Sequence, residues 1–347
     1  MDIVANKEKL ITALKIADKA VSKNITLPVL GTFLLKTDNG RLKVSATNLE
    51  LGINCWLGAK INKTGEIAVP ARLFLDFVGN VTDEKVELIA QKNILTVNSE
   101  NYKTQIMCME AKDFPIIPQI KKDVSFQISR RNLRTALLSV LDSTSLSETR
   151  PELNGIYVNI SPDRAEFAAT DSFRLSEKII NLEGKHQKTF ILPRNAAIEI
   201  IRIAEDNDDN LFFAVSENQI LIHGEDFEMI SRLIDGHYPE YKRVIPEKFI
   251  SLARINKTNF EKSIRMASVF SSSISDVKLK VTKDLMEISA QNSTKGEITA
   301  NVVCAIKDRP FEISVNYQYL LDGLKTISSE DIILEFTGDG SPLVLKG

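Results

Sequence analysis

Three histidines (His186, His223, His237) and three cysteines (Cys55, Cys108, Cys304) are the side chains best suited to hold a metal or to act as nucleophiles, and their spacing suits neither task. None stands in the Cys-x-x-Cys or His-Glu-x-x-His spacing that aims two ligands at one ion. Ser271-Ser272-Ser273 has no histidine or basic residue beside it to activate a hydroxyl, and reads as a polar loop. Asp171 and Asp235 each lie near an arginine and read as structural ion pairs, not as an acid–base couple. No Walker loop and no Gly-x-Gly-x-x-Gly fingerprint occurs. The sequence therefore predicts no catalytic residue, no metal and no cofactor.

The chain does carry cations at helical spacing. Lys15, Lys19 and Lys23 recur every four residues opposite Leu10, Ala13, Leu14, Ala17 and Val21, which predicts an amphipathic helix over 7–22 with one basic stripe. Arg130, Arg131 and Arg134, then Lys257, Lys262 and Arg265, occupy two corresponding segments, and Arg72, Arg194 and Arg202 a second set of predicted helices. With 44 Lys and Arg against 46 Asp and Glu the net charge is −2, so overall charge does not draw the molecule to nucleic acid. A positive face confined to the helices would still attract phosphates through counterion release, without reading sequence. The basic residues are not interleaved with aromatics in the manner of single-strand binders.

The elements that position these charges recur with a period of about 123 residues. A short strand, a capping residue (Asn6, Ser129, Asn256) and an amphipathic helix appear three times. Pro70, Pro193 and Asn316 mark the openings of three second helices, which carry Asp76, Glu199 and Asp322 in one column. Alternating strands lie between and after the helices, with an Asn39-Gly40 hairpin signal in the first copy. The prediction is an α+β chain of three tandem domains, 1–120, 121–248 and 249–347, each with two helices packed on antiparallel sheet of six to eight strands. The third copy is expected to lack about one strand and its turn. Scattered cysteines in apolar stretches predict buried free thiols and a cytoplasmic setting. The sequence holds no membrane-length apolar run and no signal-peptide pattern at its start.

Specific strings then resemble a known family, the bacterial DNA polymerase III beta subunit or sliding clamp. They are Thr26-Leu27-Pro28-Val29-Leu30-Gly31, Val69-Pro70-Ala71-Arg72, Leu153-Asn154-Gly155, 169–175 (Ala-Thr-Asp-Ser-Phe-Arg-Leu), 233–241 (Leu-Ile-Asp-Gly-His-Tyr-Pro-Glu-Tyr) and Asn316-Tyr317-Gln318-Tyr319, in order along the whole chain. The resemblance implies three DNA-clamp domains in a head-to-tail homodimeric ring around duplex DNA, with the helices facing the hole. It implies a non-enzymatic processivity factor whose partners are double-stranded DNA without sequence preference, a second copy of itself, the replicative polymerase, the clamp loader and other proteins bearing a clamp-binding motif. The family's groove for partner peptides maps onto Leu153, Thr170, Ser172, Phe173, Arg174, Leu175, Pro239, Arg243, Val244, Ile274, Asn316, Tyr319 and Pro342. Arg150 joins the DNA-facing set by the same resemblance, and Ile106, Val269 and Phe270 are expected at the joint between copies. The competing class is a scaffold that recruits proteins without encircling DNA, which a stable monomer at micromolar concentration would favour.

Overall fold

The computed structural model describes residues 1–22, 27–121, 126–147, 149–182, 187–204 and 209–347, so Lys23 of the expected basic stripe lies outside the described residues. The first copy runs β1 (Asp2–Asn6), α1 (Lys7–Ala17), β2 (Thr32–Asp38), β3 (Arg41–Thr47), β4 (Leu51–Lys63), β5 (Glu66–Pro70), α2 (Ala71–Asn80), β6 (Lys85–Gln91), β7 (Ile94–Asn98) and β8 (Lys103–Met107). The second repeats that order as β9 (Phe126–Ser129), α3 (Arg130–Leu141), β10 (Gly155–Ile160), β11 (Arg164–Thr170), β12 (Leu175–Asn181), β13 (Lys188–Pro193), α4 (Arg194–Ile203), β14 (Asn210–Val215), β15 (Gln219–His223) and β16 (Phe227–Arg232). The third follows as β17 (Ser251–Asn256), α5 (Lys257–Ser268), β18 (Asp276–Val281), β19 (Leu285–Asn292), β20 (Gly296–Asp308), β21 (Phe311–Asn316), α6 (Tyr317–Thr326), β22 (Asp331–Phe336) and β23 (Leu343–Lys346). Two strands thus follow α6, where three follow α2 and α4.

The caps expected from sequence are made. Asn6 Oδ1 accepts from the Lys9 N–H at 3.1 Å, Ser129 Oγ from Asn132 at 3.3 Å and Asn256 Oδ1 from Asn259 at 3.1 Å, each satisfying an otherwise unpaired helix donor. The first helix is shorter than its periodicity predicts. It ends at Ala17, and Asp18–Ala20 tightens into a 3₁₀ turn as the Asp18 N–H reaches the carbonyls of Ile16 and Leu14. Lys19 therefore sits on the tightened turn and does not extend an α-helical stripe from Lys15.

The cores follow the period-2 and period-3.6 patterns. In the third copy Phe260, Ile264 and Ala267 of α5 and Leu320 and Leu324 of α6 pack against Ile255, Leu279, Ile288, Val302 and Leu334 of the sheet. Cys55 and Cys304 are buried free thiols as expected, and burial pushes the Cys55 thiol far up from its ordinary value. Cys108 departs from expectation. It is only half-buried, with its thiol on the Ile106 carbonyl and its pKa pushed up to about 11 by burial.

The chain divides into two compact units, Met1–Arg134 with Tyr157–Glu166 and Ile179–Asp235, and Thr135–Ile156 with Phe167–Lys178 and Gly236–Gly347. Within the first unit one twelve-stranded sheet runs β8-β7-β6-β1-β4-β16-β15-β14-β9, with β2, β3 and β5 branching beside β4. Its continuity rests on one junction. The last strand of the second copy, β16, adds antiparallel to the long strand of the first, with Phe227 opposite Cys55, Met229 opposite Ile53 and Ser231 opposite Leu51. The first half of β4 has β3 on its other side, and the second half turns to pair β1. In the third copy β20 is built alike, pairing β19 over Gly296–Val303 and β17 over Cys304–Asp308.

Gly52 lies at the β4/β16 junction, opposite Ile230, and a Cβ there would fall 2.8 Å from Ile117 Cγ2. Ile117 and Ile120, from the segment leaving the first copy, pack on Ala214, Leu221 and Ile230 of the second. Gly52→Ala should therefore destabilise the protein by about 1–3 kcal/mol through overpacking. Gly58→Ala, where nothing lies within 4 Å of the added carbon, should change stability by under about 1 kcal/mol. Denaturant midpoints of the two variants check both outcomes.

Candidate functional site

All thirteen residues predicted for a peptide groove fall within the second compact unit. The turn between β11 and β12 is built by two side chains. Asp171 Oδ1 accepts from the N–H groups of Phe173 and Arg174 at 2.9 Å each, and Thr170 accepts from the Ser172 N–H at 3.1 Å while donating to the Arg174 carbonyl at 2.7 Å. These bonds hold Ser172 in the left-handed region, at φ 80°, and present Phe173 outward, 84% exposed. The Tyr238 phenol oxygen accepts from the Thr170 N–H at 3.0 Å, and burial pushes the phenol up to about 12. Tyr238 was not singled out as a site residue, although it belongs to the Gly236-His237-Tyr238-Pro239 string.

The Arg174 guanidinium is engaged on every side. Nε reaches Asp171 Oδ2 at 3.0 Å, Nη1 reaches Asp322 Oδ2 at 2.6 Å and Nη2 reaches the Asp142 carbonyl at 2.5 Å. Its Cζ lies 4.5 Å from the centre of the Tyr319 ring. Lys325 completes the cluster, 2.7 Å from Asp322 and 3.9 Å from Asp142. The first residue after α3 and the β11–β12 turn are thereby bolted to α6. Burial would raise the Asp322 carboxyl, but its hydrogen bonds from Lys325 and Arg174 outweigh that and hold it below the ordinary carboxylate value. The Asp171–Arg174 pair agrees with the sequence reading, whereas Asp235 makes no ion pair among the described residues. Asp142 and Lys325 could not be found from spacing, because the arrangement joins residues far apart in the chain.

The remaining groove positions vary in exposure. Leu153 is 1% exposed and is a core residue, Leu175, Pro239 and Tyr319 are half-buried, and Val244, Ile274 and Pro342 are exposed. Arg243 is exposed and pairs with Glu240, and Asn316 caps α6 by accepting from Gln318 at 2.9 Å.

The predicted DNA-facing cations divide by what their charged ends do. Lys15 and Lys262 are exposed and Lys19 half-buried, and none has an ion-pair partner among the described residues. Arg72, Arg150, Arg202 and Arg265 reach solvent while pairing with Asp76, Glu152, Glu199 and Glu261. Arg131 is exposed, and Arg134 and Arg194 are half-buried. Two expectations are corrected. Arg130 folds over the Phe227 ring at 5.3 Å and donates to the Ile203 carbonyl at 3.2 Å, its pKa lowered by burial. Lys257 turns back to the Ile327 carbonyl. At the expected joint Val269 is 58% exposed and Phe270 packs partly against the third core, but Ile106 is 3% exposed. Strand alternation turns Ile106 inward, and its neighbour Met107, 72% exposed, is the side chain β8 presents outward.

Three family models match in order: the N-terminal domain of the DNA polymerase III beta subunit over 1–118, its central domain over 127–240 and its C-terminal domain over 242–347. Beta sliding clamps of Staphylococcus epidermidis and Staphylococcus aureus are each 27% identical, with the alignments covering all of this chain and 95% of theirs. Among solved structures, the DNA polymerase sliding clamp of Bacillus subtilis superposes with a TM-score of 0.96 at 24% identity, covering 100% of this chain and 95% of that one. The DNA polymerase III subunit beta of Bartonella birtlesii, bound to griselimycin, does so at 0.93 and 26% identity over the same shares.

Arg174→Ala should cost about 2–3 kcal/mol, because it leaves two carboxylates and a carbonyl without their shared donor, whereas Arg243→Ala should cost under about 0.5 kcal/mol. Thermal unfolding of both variants tests this. The Asp322 contribution is complete above the ordinary aspartate value of about 3.9 and fades as pH falls through the lowered folded-state value. Asp322→Asn should remove that part of the acid dependence.

Proposed function

The chain belongs to the DNA polymerase III beta subunit family, and from that premise we propose that two copies close head-to-tail into a ring around duplex DNA and tether a replicative polymerase there without catalysing any reaction. Tethering raises the polymerase's effective concentration at the primer end. The basic side chains, Lys15, Lys19, Arg72, Arg131, Arg134, Arg194, Arg202, Lys262 and Arg265 among them, are assigned to the wall of the hole with Arg150 nearby. Phosphate attraction there is weak and sequence-blind, which suits sliding, whereas base contacts would stall it. Arg130 and Lys257 act on their own domains in this reading.

The surface around Thr170–Leu175, Pro239, Val244 and Tyr319 is assigned to short partner peptides from the polymerase, the clamp loader and other replication proteins. The relative that binds griselimycin supports a ligand surface in this family. A cytoplasmic location accords with the role, and no helix of the described residues is long and apolar enough to cross a membrane.

One observation carries the ring. Inside the chain, the last strand of one copy (β16) completes the long strand of another (β4). The first copy's last strand, β8, ends its sheet, and the Gly296–Val303 half of β20 has only β19 beside it among the described residues. Two such edges are complementary, and an unpaired edge is a template for strand addition. Carrying the β16/β4 register through the repeat sets Lys103 of one copy opposite Thr299 of the other, Thr104 opposite Ile298 and Gln105 opposite Glu297. Scaffold behaviour without encirclement has no comparable observation behind it.

Two outcomes are expected. The protein should remain on nicked circular DNA through gel filtration and leave once that DNA is cut, and equal retention on linear DNA would end the ring reading. The double variant Gln105→Cys with Glu297→Cys should give a covalent dimer on mild oxidation, seen on a non-reducing gel, whereas each single variant should not.

A further inference from the structure

The inference rests on the ring reading and deepens it. At each junction the position of Arg174 is taken by a different residue, and the structure identifies that residue by its bonds. In the second copy Asp171 accepts from the backbone of Phe173 and Arg174, and Arg174 reaches the carbonyl of Asp142, the first residue after α3. In the third copy Asn292 accepts from the backbone of Thr294 and Lys295 at 2.9 and 3.2 Å, and Lys295 Nζ reaches the carbonyl of Val269, the first residue after α5, at 3.3 Å. In the first copy Asn48 accepts from Glu50 and Leu51, so Leu51 takes that place. Opposite these residues stand the second helices. Tyr319 and Asp322 of α6 correspond to Ala196 and Glu199 of α4 and to Leu73 and Asp76 of α2.

Where a junction forms within the chain, these positions are covered. Leu51 is 5% and Ala196 3% exposed, while Arg174 and Tyr319 are half-buried against each other. The third set alone is open. Leu73 is 55% exposed, Lys295 is exposed, and among the described residues Asp76 pairs only with Arg72, at 3.9 Å, through side chains 69% and 97% exposed. Val269 and Met266, at the end of α5, are each 58% exposed. Lys295 has three ammonium donors, of which one contact is made among the described residues.

We propose that Lys295 of one copy forms an ion pair with Asp76 of a second copy, its aliphatic stem lying on that copy's Leu73, so that this pair performs at the joint between chains what Arg174, Asp322 and Tyr319 perform within one. The ligand of this surface is a second copy of this chain. The substitution has a consequence. Arginine presents a planar fork that holds three acceptors and a ring at once, whereas lysine offers a compact charge on a flexible stem. The proposed Lys295–Asp76 pair, made through exposed side chains, is therefore the more salt-sensitive of the two ionic clasps.

The test is the monomer–dimer equilibrium by sedimentation, at low and raised salt. Lys295→Glu and Asp76→Lys should each weaken the dimer about tenfold, since each places like charges together at both joints. The double variant should return to within about threefold of the parent, and to a dimer whose salt dependence matches the parent's. Both positions are exposed, so each variant should keep the parent's circular dichroism and unfolding midpoint, which separates loss of dimer from loss of fold. A double variant no tighter than the weaker single one overturns the pair while leaving the ring intact. A parent chain that stays monomeric up to about 100 μM overturns the ring reading and the pair with it.

Discussion

The backbone ladder between β16 and β4 is the constraint from which the arrangement follows. A strand edge carries N–H and C=O groups that must find partners, and here a whole domain supplies the partner strand. Each bond adds only about 0.5–1.5 kcal/mol net, yet leaving them unmade in a covered site costs more, so the join is set in register as well as in energy. Phe227 opposite Cys55 and Ser231 opposite Leu51 allow no slip, because moving by one residue would turn the inward side chains of β16 to the other face. Gly52 lets Ile117 seat beside this ladder, and the segment leaving the first copy seals it.

Side chains then distinguish the junctions, the second of which has no strand ladder across it among the described residues, β12 ending its own sheet. At the first, the Leu51 and Ala196 positions are apolar and buried, and Glu199 turns to Arg202 on its own helix. At the second, Arg174 concentrates three acceptors and an aromatic face around one cation, tying α6 to the β11–β12 turn. Charge is used differently on the helices. A cation meant to attract phosphate gains from exposure, while one that staples a domain is drawn inward, and Arg130 over Phe227 belongs to the second kind despite its helical spacing.

Much of this architecture was legible in the sequence, for identifiable reasons. Caps at Asn6, Ser129 and Asn256 and apolar columns such as Phe260, Ile264 and Leu320 are local signals of helix and strand period, and their recurrence yields three copies of one α+β domain. The absence of ligand spacing among the histidines and cysteines pointed away from catalysis by the same kind of local argument. The strings 169–175 and 233–241 carried the family resemblance, but only the fold revealed that Tyr238 of one supports Thr170 of the other.

Long-range partners were decided by tertiary structure alone. Residue spacing places Lys15 and Lys19 on a common face only while the helix stays α, and the 3₁₀ turn at Asp18–Ala20 ends that. The resemblance placed Arg174 in a groove and Ile106 at a joint. Packing made the first a bolt against Asp322, nearly 150 residues away, and turned the second into the core with Met107 outward. The sequence by itself determined which elements form and that they repeat, because those depend on neighbours within a turn or a strand. Which cation meets which carboxylate, and which strand edge is left open, depends on how distant elements close upon one another, and no local pattern encodes that.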